Sequence, residues 1–315
     1  MEIFASPTEP FFNSKGASVS SEVLEEMLQN LAKENEKKMK SIIPNQNCFK
    51  KQKKPVEFIF LMCEKLKQPS EAKYMAVDIF NRFMVNQVFS LYEYVMNSSS
   101  YTHKKQDWQN IINKLKKQMT LRMLSCLQVA SKLCSHYKSL TAKKCHRILN
   151  EIGLTYSLDS ILQSELCVLK TLQYELNTVS PFTYVEIILE VIAHNDDTIA
   201  VKPLHDISLK IMDLAYLRRQ CIYEQLFVTV TGQACIYKQD RIKFAPVEND
   251  LMLFAVAIIA ASSYVADQST SDKVINHLEK ITGISTEDIL MFADILLRNY
   301  VDVLQECTTS KNQAK

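Results

Sequence analysis

Apolar residues recur along this chain at helical intervals. Between Leu121 and Leu133 the run LRMLSCLQVASKL spreads Met123, Leu124, Leu127, Ala130 and Leu133 around most of a helical circumference, which belongs to a helix in the middle of a bundle. Ser125, Ala130 and Ser131 keep that helix thin, so neighbouring helices can approach it closely. Its one polar row, Ser125, Gln128 and Lys132, lies on a single face that meets either water or a partner.

The same periodicity predicts helices on either side. Residues 1–18 are polar and turn-rich, and the following segment VLEEMLQNLAKENEKKMKSI places Val23, Met27, Leu31 and Met39 on one side of a charged helix. VEFIFLMCEKL reads as a core helix. After Pro69, with Ser70 as the expected N-cap, Ala76, Ile79, Phe80 and Phe83 fall at i, i+3, i+4 and i+7. TAKKCHRILNEIG and SLDSILQSELCVLKTLQYEL supply two more helices, and the second carries Glu165 on the otherwise apolar row Ile161, Val168, Leu172. A carboxylate on such a strip is costly unless it is paired or at the surface.

Thr178 to Pro181 marks a junction, after which the pattern begins again. PFTYVEIILEVIAHN and LHDISLKIMDLAYL lead to LMLFAVAIIAASSYV, a second helix apolar all round that closes on Ala261 and Ser262. SDKVINHLEKITG follows, and then STEDILMFADILLRNYVDVL, opened by Ser285 with Asp288 three residues on, a capping-box spacing. Two thin central helices that both end in Ala-Ser make an internal repeat. The copies differ at the next position, where Lys132 in the first is replaced by Ser263 in the second.

Composition narrows the function classes. Four glycines and eight prolines in 315 residues leave little material for hairpin turns or phosphate-cradling loops, so the chain reads as all-α. A net charge of +2 from 37 basic and 35 acidic residues carries no nucleic-acid footprint by itself. No run approaches the roughly 18 apolar residues that span a bilayer, and no secretory leader is visible, so an intracellular protein is expected. Nine cysteines, several in apolar helical positions, suit a reducing compartment. Cys134, His136, Cys145 and His146 form the densest set of potential zinc ligands, but they lack a Cys-x-x-Cys pair, so no metal and no cofactor are expected.

Tandem helical units with VASKL closing one central helix and SELCVLKTL in the last helix of the first unit resemble the cyclin fold over about residues 50–305. The resemblance implies two five-helix cyclin boxes, at 50–179 and 180–305, preceded by an N-terminal helix and linker at 19–49 and flanked by tails at 1–18 and 306–315. The runs TLRMLSCLQVASKL, SELCVLKTLQYELN and SPFTYVEIILEVI are similar to a cyclin branch associated with meiotic recombination, where it promotes maturation of designated crossover sites. That implies a non-catalytic adaptor on meiotic chromosomes in the nucleus, with recombination proteins and a cyclin-dependent kinase as partners. In kinase-binding cyclins a lysine that closes the central helix and a glutamate that opens the last helix of the first box hold the kinase. By resemblance these are Lys132 and Glu165, with Ser125 and Gln128 on the same polar row. The competing reading is that Lys132 and Glu165 pair only with each other, for ~0 to 1 kcal/mol at a surface.

Other cyclin features depart from the pattern. The usual buried ion pair falls at Gln52 and Asn81, both neutral, and of Lys51, Pro55 and Phe58 only Phe58 suits a substrate-docking patch. These departures weigh against ordinary kinase activation and substrate docking. Lys33-Glu34-Asn35 matches a degradation signal of cell-cycle proteins. The lysines of FKKQKKP and NKLKKQ admit a rival function, a nucleic-acid-binding adaptor resembling general transcription factor IIB, although no aromatics are interleaved with them. No glycine-rich phosphate loop or nucleophile motif supports an enzyme.

Overall fold

The computed structural model describes residue 12 and residues 19–40, 53–98, 104–135, 138–176, 179–233 and 238–313. Among them every regular element is a helix, and no single helix is long and apolar enough to cross a membrane. The chain forms two compact units, one built on residues 45–178 and one that combines residues 7–44 with 179–315.

In the first unit, α2 (Lys53–Lys65), α3 (Ser70–Asn97), α4 (Lys104–Cys134), α5 (Ala142–Glu151) and α6 (Leu158–Thr171) follow in order. Helix α4 is the axis and packs against the other four. Every residue from Leu121 to Ser131 except Arg122 is buried, so the pattern marks a central helix. The periodic set on α3 holds too, with Ala76, Ile79, Phe80 and Phe83 all buried. Ser70 is the first helical residue of α3 and Pro69 is its cap, with no side-chain bond. The N-cap expected at Ser70 is therefore displaced by one residue, because the fixed φ of Pro69 already sets the entry.

The second unit comprises α1 (Ser21–Lys40), α7 (Pro181–Asn195), α8 (Val201–Leu217), α9 (Arg219–Thr231), α10 (Lys238–Asn249), α11 (Leu251–Ala266), α12 (Gln268–Thr282) and α13 (Thr286–Gln313). Helix α11 is its axis, packed by α7, α8, α12 and α13. From Pro181 onward this unit has seven helices among the described residues where five are expected, and two breaks account for the difference. Helices α8 and α9 part at Arg218, while α10 and α11 bend by 59° at Asp250. Asp250 caps α11 by accepting the Leu253 amide at 2.8 Å. Ser285 caps α13, its Oγ accepting the Asp288 amide at 3.2 Å, but the Asp288 carboxylate takes the Ser285 hydroxyl at 2.7 Å where the expected capping box would have it accept the Ser285 backbone N–H. Helix α13 runs on to Gln313, so residues 306–313 extend a helix where a tail is expected, since no proline or glycine stops it.

Helix α1 buries a face rotated from the expected one. Leu24, Leu31 and Asn35 are buried, whereas Val23 and Met27 are exposed. The rotation follows from its polar anchors: Tyr184 Oη donates to Leu31 O at 3.1 Å and Lys38 Nζ to Val179 O at 2.8 Å. Asn35 Oδ1 accepts the amides of Leu251 and Met252 at 2.8 and 3.3 Å. With Asp250 serving Leu253, the first three amides of α11 all have acceptors.

Candidate functional site

The expected site residues converge where the C-terminal end of α4 crosses α6. Ser157 caps α6 by accepting the Ser160 amide at 3.1 Å, so the helix starts two turns before Glu165, which sits in its middle instead of opening it. The row Ile161, Glu165, Val168 faces α4 and is buried throughout. Glu165 is thus a carboxylate in an apolar contact, and it needs partners.

It has two. Gln128 Nε2 donates to Glu165 Oε2 at 2.9 Å, and Lys132 Nζ donates to Glu165 Oε1. Gln128 is wholly buried, and its Oε1 accepts from the Cys145 thiol of α5 at 3.5 Å. The order is fixed by donor chemistry: a thiol feeds the amide oxygen, the amide nitrogen feeds the carboxylate, and the ammonium closes the chain. A fully satisfied relay of this kind rigidifies the helices it joins. Burial, reinforced by the neighbouring Glu165 charge, pushes the Cys145 thiol up to about 12, so it stays a neutral donor.

Ser125 lies one turn earlier in the same interface. It donates to Leu121 O at 2.9 Å and shares a 2.8 Å bond with Ser164 Oγ, which also accepts from Arg122 Nη1 at 2.8 Å. Ser125 and Gln128 therefore meet α6 in the interior and show no side chain to solvent. Their assignment as partner-contacting groups is corrected to an internal role. The polar row of α4 faces neither water nor a partner along most of its length, because α6 offers Ser164 and Glu165 as a matching polar pair. Lys132 alone reaches out, with its side chain 46% exposed against 9% for Glu165.

Ser131 explains why the central helix ends on Ala-Ser-Lys. Its hydroxyl donates to Gln68 Oε1 at 2.5 Å and accepts the buried Leu140 amide at 2.8 Å, which ties the end of α4 to the connections before α3 and after α4. Ala130 is fully buried at the helix contact. In the second unit Ser262 and Ser263 are also buried, and Ser263 Oγ donates to Ala260 O at 2.8 Å and lies 3.0 Å from Ser271 Oγ. The exposed cation therefore belongs to the first unit alone of these two matching positions.

Several other candidates resolve differently. Gln52, Lys51 and His136 lie outside the described residues. Arg82 pairs with Asp78 at 3.0 Å and donates to Glu175 O at 2.9 Å, bonds that its neighbour Asn81 does not share. Cys145 faces Gln128, whereas Cys134 Sγ lies 4.0 Å from Met75 Sδ. Among the described residues no three potential metal ligands gather. The tripeptide Lys33-Glu34-Asn35 is helical, and its Asn35 is buried at the start of α11. Arg122 and Ser164, which no motif singled out, complete the α4–α6 interface.

The sequence comparisons agree with this architecture. The profile of the cyclin N-terminal domain matches residues 26–177, from within α1 to the end of the first unit. Cyclin N-terminal domain-containing protein 1 of Mus musculus is 33% identical over 284 residues, covering 90% of this chain and 85% of the mouse protein. Its Homo sapiens counterpart is 32% identical over 284 residues, covering 90% and 86%. With helices around a thin axis, the Lys132–Glu165 pair at its end, and similarity across both units, the chain belongs to the cyclin family, alongside cyclin N-terminal domain-containing protein 1.

Proposed function

We propose that this protein is a non-catalytic cyclin-like adaptor that acts in the nucleus, on meiotic chromosomes, to promote maturation of designated crossover sites, through recombination proteins and a cyclin-dependent kinase. The meiotic part rests on the resemblance of TLRMLSCLQVASKL, SELCVLKTLQYELN and SPFTYVEIILEVI to that cyclin branch. The similarity to the mouse and human relatives over nine-tenths of the chain supports it.

The observation that carries the kinase contact is the half-exposed Lys132 ammonium, anchored on a buried carboxylate at the end of the first unit's axis. Holding the cation against Glu165 removes much of the rotamer entropy a free lysine loses on binding. Its remaining N–H groups are then set to cap free carbonyls at the end of a partner helix. Ser125 and Gln128 support this indirectly, by fixing Glu165.

The test is co-purification of tagged protein from meiotic cells, with wild type beside Lys132→Ala, a half-exposed position whose truncation leaves Glu165 with the Gln128 amide, the melting temperature of the variant verifying that it stays folded. A cyclin-dependent kinase should accompany the wild type and be reduced at least tenfold in the variant, while recombination proteins remain with both. Kinase held equally by both proteins would remove Lys132 from the contact, and kinase absent from both would remove the kinase. Absence of recombination proteins from every sample would remove the meiotic role.

A further inference from the structure

The second unit carries an open groove of about 1270 Å³ bounded by α9, the end of α11, α12 and α13. It exceeds the roughly 300–1,000 Å³ typical of small-molecule pockets. Part of its apolar lining is presented to solvent: Val228, Tyr264, Leu290 and Val301 are 42, 51, 46 and 48% exposed.

Helix α13 is apolar on two sides. Its inner stripe, Ile289, Phe292 and Leu296, is buried. Beside it Leu290, Val301 and Leu304 are exposed, and with the buried Ala293 and half-buried Leu297 between them they keep the three-and-four spacing of a seam that packs against another helix. From Leu290 to Leu304 such a seam runs ~21 Å at 1.5 Å per residue. Among the described residues no helix covers Leu290, Val301 or Leu304, and an exposed apolar row of this length marks an interaction surface.

The polar groups around the groove select the occupant. Among the described residues Glu224, Asp272, Asp294 and Asp302 line it against one guanidinium, Arg298, which Asp294 already holds at 2.6 Å. Two copies of this chain would bring like charges together across the seam, which costs binding. We propose that the groove docks an amphipathic helix of a partner protein, one whose apolar stripe is flanked by lysine or arginine. The apolar stripe would fill the seam beside Leu290 and Val301, and the basic flanks would meet Asp272 and Asp302, the helix-in-groove mode of recognition.

The test uses the full chain and two fluorescent 21-residue helical probes of identical leucine pattern, one with lysine and one with glutamate at the flanking positions. The lysine probe should bind, weaken at least tenfold between 50 and 500 mM salt, and bind at least tenfold more tightly than the glutamate probe. Leu290→Glu, and separately Asp272→Lys with Asp302→Lys, should each weaken it at least tenfold. Glu93→Lys in the first unit should leave binding unchanged. The two carboxylates are exposed, so their replacement keeps the fold, and unchanged melting verifies this for each variant. Equal affinity for both probes, or binding insensitive to both groove variants, would overturn the proposal. So would sedimentation showing a dimer of the chain that Leu290→Glu dissociates.

Discussion

Asn35 Oδ1 accepts the backbone N–H of Leu251 at 2.8 Å, across 216 positions of sequence, while its Nδ2 donates to Asp250 Oδ1 at 2.9 Å. A residue of the N-terminal helix thereby completes the cap of the second unit's axis. Asn35→Ala should destabilise the protein by about 0.5–2 kcal/mol, as loss of a cap does. Asn35→Asp should cost more, since a carboxylate there would face Asp250. Thermal melting checks both, and an unchanged midpoint for Asn35→Ala would mean the cap contributes nothing. The same burial bears on the Lys33-Glu34-Asn35 degradation signal, because reading Asn35 requires α1 to leave the unit. Lys33, which is exposed, is the position at which that signal can be tested without touching the cap.

Ala130 is fully buried on α4, the axis of the first unit. Ala130→Leu should overpack the first unit and cost about 1–3 kcal/mol. Urea denaturation checks this, and a variant as stable as wild type would place Ala130 away from any tight contact.

Periodicity made the axes legible. Leu121–Ser131 and Phe254–Ser263 are apolar all round and are the two central helices, and Ala76, Ile79, Phe80 and Phe83 fall inward as their spacing predicts. The facing of polar residues was less legible. Ser125 and Gln128 read equally well as a surface row or a buried one until α6 brings Ser164 and Glu165 against them, and that depends on how two helices register. The signal lay in α6, where Ser164 and Glu165 interrupt an apolar strip with polar groups of matching chemistry. Asn35 was hidden for a similar reason, since its partners are backbone amides of a distant helix. The breaks at Arg218 and Asp250, which set off α9 and α10, carry no glycine or proline at the break itself, so periodicity alone does not reveal them.

Burial also orders the thiols by reactivity. Cys145 is pushed up to about 12 and Cys126 is raised as well, both chiefly by burial, whereas Cys221 is exposed. At pH 8 a thiol with pKa near 12 is ionised to only ~1 part in 10,000, and the thiolate is the nucleophile. Brief alkylation of the native protein followed by peptide mapping should find Cys221 modified and Cys126 and Cys145 intact. In urea all three should react. Modification of Cys145 as fast as Cys221 in the native protein would mean that the Cys145–Gln128–Glu165 relay opens readily.

The relay also decides how the Lys132–Glu165 pair responds to charge exchange. If the two residues met simply at a surface, Lys132→Glu with Glu165→Lys would restore whatever either single change lost. The surroundings are unequal, however, because position 132 is half-exposed and position 165 is enclosed, with the Gln128 amide nitrogen directed at it. An ammonium at 165 would face another donor. Turning the Gln128 amide to offer its oxygen would direct its nitrogen at the Cys145 sulfur, a weak acceptor. Lys132→Glu alone should cost about 1–3 kcal/mol, since the new carboxylate can swing into water but leaves Glu165 short of one partner. Glu165→Lys alone should cost about 3–5 kcal/mol, as breaking a buried pair does. The exchange should stay within about 1 kcal/mol of Glu165→Lys, with no return to wild-type stability. Urea denaturation of the four proteins measures this, and full recovery in the exchanged protein would show that Gln128 does not orient the pair.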